Sequence, residues 1–149
     1  MKAMKLKDGV GTAHLRVARA TDDLPAVVDF YRDGLGFEVI YEFKDHDGFD
    51  GAMLGLPGSP YHLEFTRTAA HRAGRAPGAE NLLVFFLPDA ALYRAATARM
   101  TAHGHQPIRA FNPYWDRNGR TYEDPDGYRV VLQNSAWPPI ATIQNRSFP

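Results

Sequence analysis

The sequence predicts an α+β fold built of two βαβββ modules, and three observations predict it. The order strand, helix, strand, strand, strand occurs once in residues 11–67 and again in residues 81–134. Turn residues recur at one offset. Gly36 and Gly104 follow the two helical stretches, Gly51 and Gly119 precede two hairpins, and Pro57 and Pro125 sit in the hairpin turns, each pair 68 residues apart. The stretch Asn112–Asn134, centred on Asp124-Pro125-Asp126-Gly127, then reads as a second copy of the hairpin Gly51–Arg67. Two such units pack most economically as two curved four-stranded sheets, with helices outside and a concave cleft within.

Each element has a local reason. Gly11–Ala18 alternates His14 and Arg16 with Leu15 and Val17, which suits a half-buried strand. Thr21-Asp22-Asp23 supplies capping side chains and Pro25 falls in a first helical turn. Leu24, Val27, Val28, Tyr31 and Leu35 then form one apolar stripe, closed by Gly34 and Gly36. Phe37–Lys44, Gly51–Leu56 and Tyr61–Arg67 follow as strands, separated by the turns Asp45–Gly48 and Pro57–Pro60. Residues 68–80, rich in Ala, Gly, Pro and Arg without periodicity, read as a surface linker.

The second module opens with the apolar run Asn81–Leu87. Asp89 caps a helix through His103, with Leu92, Ala96, Met100 and His103 on one face. Gln106–Phe111, Arg120–Asp124 and Tyr128–Gln133 supply the remaining strands, the last two joined by the turn in which Pro125 presets φ and Gly127 takes φ > 0. Pro113-Tyr114-Trp115 makes a rigid corner with two large rings beside the cleft mouth. Residues 135–149 form a tail with no assignment.

Composition narrows the function classes. The chain has 149 residues, enough for one domain with a real core. Seventeen basic residues balance 17 acidic ones, so no global field draws nucleic acid or an anionic membrane. The Arg67, Arg72, Arg75 patch is interrupted by Ala and Gly and reads as a solvated loop. There is no cysteine, which excludes disulfides and thiolate ligands and favours the cytoplasm. Met1-Lys2-Ala3-Met4-Lys5 is followed by no apolar h-region, so no signal peptide is expected. The 13 glycines form no phosphate loop, and the serines lack an elbow motif.

The paired modules, the helix end Asp29-Phe30-Tyr31-Arg32-Asp33-Gly34-Leu35-Gly36-Phe37 and the Asp124-Pro125-Asp126-Gly127 turn resemble the vicinal oxygen chelate superfamily, which holds glyoxalase I, the bleomycin and fosfomycin resistance proteins and the extradiol dioxygenases. The resemblance covers residues 11–134. Asp50-Gly51, Tyr61-His62-Leu63-Glu64-Phe65 and Asn112-Pro113-Tyr114-Trp115 look like a subgroup of small bacterial glyoxalase-like proteins.

The resemblance implies a divalent metal with one ligand from each of the first, fourth, fifth and eighth strands. Glu64 matches the fourth-strand ligand. Leu82 stands at the fifth-strand position and Val131 at the eighth, and neither side chain has a lone pair to give. On the first strand one anchor places the ligand at Thr12 and another at Arg16; His14 lies between them on the same face. A reduced site of His14, His62 and Glu64 is the metal-binding alternative to a dismantled one. Without a metal, Glu64 needs a cation such as Arg16 or Arg129.

The leading expectation is a small-molecule-binding protein of the glyoxalase and bleomycin-resistance type, lacking the full metal site and with no cofactor firmly implied. Arg16, Tyr114, Trp115, Tyr122 and Arg129 are its substrate-binding candidates and Glu64 its catalytic one. One alternative is a metal-dependent lyase or isomerase of the glyoxalase I type, in which Glu64 moves a proton. The other is a structural dimerisation module with a vestigial cleft. The resemblance implies a homodimer.

Overall fold

The computed structural model describes residues 9–138. The first module runs β1 (Leu15–Ala20), α1 (Leu24–Asp29) continued by one π-helical turn (Phe30–Gly34), β2 (Glu38–His46), β3 (Phe49–Gly55) and β4 (Tyr61–Thr68). The second runs β5 (Leu82–Phe86), α2 (Ala90–Ala102), the short α3 (Tyr114–Arg117), β6 (Gly119–Glu123) and β7 (Arg129–Gln133). The first sheet has the order β1-β4-β3-β2 and the second β5-β7-β6. In each, the strand before the helix pairs parallel with the last strand of the module, and the other pairings are antiparallel. Among the described residues, no helix is long and apolar enough to cross a membrane.

The recurring turn residues have matching structural reasons. Gly36 and Gly104 close their helices at φ +84° and +83°, a left-handed conformation that other residues adopt only with strain. Gly51 and Gly119 each lie under a neighbouring side chain. A Cβ at Gly51 would overlap the Phe43 ring, and one at Gly119 would overlap Gln133 Oε1.

Several predicted details differ. The first strand begins at Leu15, because residues before it form a turn in which Ala13 N–H donates to Val10 C=O at 3.0 Å. Thr12 therefore lies outside the strand. The predicted strand Gln106–Phe111 reduces to one bridge, in which Ile108 N–H donates to Thr121 C=O at 2.8 Å. Pro107 lacks an N–H, and Ala110 N–H turns to the Asp116 carboxylate instead of a strand neighbour. The second sheet thus has three strands where four were expected.

The Pro113–Trp115 corner continues into the helical turn α3. On α2 the buried residues are Thr97 and Met100, with Tyr93 and Ala96 packed against the core, while Leu92 is exposed. Tyr93, not Leu92, turns to the core. Residues 68–80 dock at definite points: Ala73 and Gly74 donate N–H groups to the Asp22 carboxylate at 2.8 and 3.0 Å, and Ala76 N–H donates to Asp126 C=O at 2.8 Å. Of the predicted tail only residues 135–138 are among those described; there Trp137 stacks on Phe86 at 5.8 Å, and the remainder lies outside the described residues.

One core joins the modules. Val27, Phe30, Tyr31, Ala52, Leu54, Leu63 and Phe65 of the first contribute with Met100, Tyr122, Val130 and Leu132 of the second. Full burial of an aliphatic or aromatic side chain contributes about 1.5–3 kcal/mol. Within this core Tyr31 O–H crosses between modules and donates to Asp124 Oδ2 at 2.8 Å. The other carboxylate oxygen of Asp124 accepts the N–H groups of Asp126 and Tyr128 at 2.8 and 3.0 Å. Burial raises the Asp124 carboxyl above its ordinary pKa, against the pull of these three donors.

Removing the tyrosine hydroxyl with Tyr31→Phe strands one lobe of a buried carboxylate and should cost about 1–3 kcal/mol in urea unfolding at neutral pH. A carboxyl whose folded pKa is raised becomes less unfavourable in acid, so this penalty should shrink as the pH falls through the Asp124 pKa. Gly51→Ala, which pushes the Phe43 ring off the sheet, should cost about 1–3 kcal/mol by the same measurement.

Candidate functional site

Side chains alternate across a strand, so burial of Leu63 and Phe65 in the core sends His62 and Glu64 to the other face of the first sheet. The register of β1 against β4 sets Arg16 beside His62, and that of β3 against β4 sets Met53 beside Glu64. Tyr41 pairs with Met53 and extends the same face. The result is a polar centre on an open sheet face, flanked by a thioether and an exposed aromatic ring.

Its geometry is a chain of contacts. Arg16 Nε–H donates to His62 Nε2 at 2.8 Å, and His62 Nδ1 lies 2.6 Å from His14 Nε2. Arg16 Nη1 stands 3.4 Å from Glu64 Oε2, and Nη2 approaches Met53 Sδ at 3.5 Å. Arginine accepts no hydrogen bond, so His62 Nε2 must carry a lone pair. Neutral His62 then holds its proton on Nδ1 and donates to His14 Nε2, leaving the His14 proton on Nδ1. Loss of surrounding water, followed by the Arg16 guanidinium and His14, lowers the His62 pKa, while Glu64 opposes the shift.

Three of the five N–H groups of Arg16 are thus directed at His62, Glu64 and Met53, and among the described residues the other two have no partner. The Arg16 side chain is 46% exposed and that of Glu64 is 14% exposed, so the cation faces solvent and the carboxylate lies beneath it.

The donor set of a divalent metal fits this arrangement poorly. Both ring nitrogens of His62 and Nε2 of His14 are engaged within the protein. Leu82 and the fully buried Val131, which the resemblance sets at two further ligand positions, have no lone pair to give. Among the described residues, no three His, Asp or Glu side chains converge as a metal-binding group.

The remaining sequence candidates fall elsewhere. Arg129 pairs with Glu123 rather than Glu64, with Nε 3.4 Å from Oε2. Arg129 and Trp115 line a separate cavity of about 180 Å³ against the second sheet, and Tyr114 meets Trp115 edge-on at 4.9 Å. Tyr122 is wholly buried in the shared core beside Val130 and Leu132, so it lines neither face. Its parity on β6 is opposite to that of Thr121, which takes the cavity side.

Sequence reasoning missed Arg19, whose guanidinium lies 4.0 Å from the centre of the Tyr128 ring. It also missed Met53 and Tyr41, which the parity of β2 and β3 would have placed beside Glu64 had their register been readable.

The comparisons agree with this fold. The family model of the YycE-like N-terminal domain matches residues 15–66, and that of the YycE-like C-terminal domain matches residues 80–134. The uncharacterized protein YycE of Bacillus subtilis is 43% identical over 123 residues, covering 83% of this chain and 88% of its own length. Its crystal structure, of a protein of unknown function grouped with glyoxalase and fosfomycin resistance proteins, superposes with a TM-score of 0.77 at 42% identity, over 84% of this chain and 91% of that one.

Two more distant structures share the fold. The trypanothione-dependent glyoxalase I of Leishmania major has a TM-score of 0.63 at 20% identity, over 89% of this chain and 90% of that one. The fosfomycin resistance protein FosX of Mesorhizobium loti has a TM-score of 0.64 at 11% identity, over 95% of this chain and all of that one. The chain belongs to the YycE-like family, and its fold is that of the glyoxalase and fosfomycin resistance proteins of the vicinal oxygen chelate superfamily.

Proposed function

We propose that this chain binds a small anionic organic molecule on the open face of its first sheet, without a resident metal. The observation that carries the reading is Arg16. Its guanidinium is braced by His62 and Glu64, keeps two N–H groups without a partner among the described residues and faces solvent beside Met53 and Tyr41. A fixed guanidinium is suited to a carboxylate or phosphate, because two parallel N–H groups match two anionic oxygens. Met53 and Tyr41 offer apolar surface to the rest of the molecule, and His14 offers an Nδ1–H donor at the edge.

Glu64 serves this site as a positioning residue, holding Arg16 from below. The resemblance to glyoxalase and fosfomycin resistance proteins supports the reading at the level of fold. It also supports a homodimer, and the exposed apolar side chains Leu15 and Phe49 give a second copy surface to cover.

A thermal-shift screen of small carboxylates and organophosphates tests the binding. A ligand at 100 times its Kd adds about 2.7 kcal/mol of stability. Arg16→Ala should abolish the shift given by any hit, and a shift that survives it would sink the assignment. Light scattering should return twice the monomer mass, and a monomer would remove the dimer from the reading.

The pH dependence has a definite sign. The folded pKa of His62 is depressed, so the neutral chain Arg16–His62–His14 is favoured above the ordinary histidine pKa of about 6.5 and is lost as the pH falls through the folded value. Protonated His62 cannot accept from Arg16 and adds positive charge, so anion affinity should rise in that acid range. In a histidine NMR titration, Arg16→Ala should move the His62 pKa upward.

A further inference from the structure

We infer that the junction of the two modules holds a pocket for one small apolar aromatic molecule, apart from both the Arg16 face and the sheet face that carries Leu82 and Val131. The pocket is a cavity of about 150 Å³ lined by Leu35, Phe37, Phe85, Leu87, Ala96 and Leu132. Leu35 and Phe37 come from the first module, between the π-helical turn and β2. The other four come from β5 and its end, α2 and β7 of the second. Side chains alternate along a strand, so Phe85 and Leu132 point away from the face of Leu82 and Val131. The cavity therefore lies on the helix side of the sheet, where Phe85, Leu87 and Ala96 pack against the shared core.

The lining selects the ligand. All six of its side chains are apolar. A water molecule needs several polar partners to settle in a cavity, and these walls offer it none. Apolar cavities of about this volume stay dry and take up benzene. A carboxylate or ammonium group entering here would lose its water and gain no partner. A partner's helix, roughly 10 Å across, is too wide for the space.

The walls favour a ring over a chain. Phe37 and Phe85 stand 5.6 Å apart with their planes inclined at 60°, and Tyr61 meets Phe85 at 6.3 Å. Rings set at such angles accept the edge or face of one more. A way in exists, because Leu132 is nearly closed off at 3% exposure while the other five lining residues are only half-buried. Phe37 also meets the Tyr31 ring at 6.4 Å, so the occupant rests against a neighbour of the Tyr31–Asp124 bond.

Benzene is the probe and phenol its control, each titrated separately and followed by methyl NMR. Benzene should bind saturably and shift the methyl signals of Leu35, Leu87 and Leu132 while leaving those of Leu82 in place. Phenol should bind at least tenfold more weakly, because its hydroxyl finds no partner among the six side chains. Ala96→Leu fills the cavity from α2 and should weaken benzene at least tenfold. Ala95→Leu, the same change at the exposed neighbouring position, should leave binding unaltered. Absence of saturable benzene binding, or shifts centred on Leu82, overturns the pocket. Benzene binding that survives Ala96→Leu, or that falls equally in Ala95→Leu, overturns its place beside Ala96. Equal binding of phenol overturns the wholly apolar character of the site.

Discussion

The hydrogen bond from Tyr31 to Asp124 is the contact on which the relation of the two modules depends. Apolar contacts in the shared core supply most of the free energy, but they tolerate sliding, whereas a buried carboxylate with three donors has one comfortable arrangement. Asp124 is fixed by its own turn through Asp126 and Tyr128, and Tyr31 by its helix. Closing the bond between them orients one module against the other. Arg19 adds to the same junction, its guanidinium stacked on Tyr128, the residue after the turn glycine.

Linker and turn are tied into this junction. Asp22, just before α1, accepts the N–H groups of Ala73 and Gly74, which hold its carboxyl below the usual aspartate range. Ala76 and Arg75 then meet the turn at Asp126 and Pro125. Residues that read as a featureless connection are therefore a strap across both modules, and the strap continues as one wall of the cavity beneath Trp115.

The fold was legible because its signals were local and repeated. Gly36 with Gly104, and Gly51 with Gly119, stand at equivalent places in the two modules for equivalent steric reasons. The face of β4 was legible by alternation, which put His62 and Glu64 together before any coordinates. What stayed hidden were facts of register and of competition between partners. Nothing local says that Ala110 N–H prefers Asp116 to a neighbouring strand, nor that Glu123 takes Arg129 and leaves Glu64 to Arg16. Tyr122 was misplaced for a related reason. Its aromatic ring suits a cleft as well as a core, and only the pairing of Thr121 with Val131 decides which way β6 faces.

The π-helical turn at the end of α1 carries a consequence for how this architecture tolerates change. Leu35 N–H reaches back five residues to Phe30 C=O, one more than an α-helix allows. The wide turn sets the end of the helix about 100° out of phase with its beginning. At the start of that turn the consecutive residues Phe30 and Tyr31 both point inward, one toward the ring of His105 at 4.8 Å and the other toward Asp124. A single inserted residue thus acts as a phase-shifter. It marks the place where a one-residue deletion would rotate the junction out of register while leaving every strand intact.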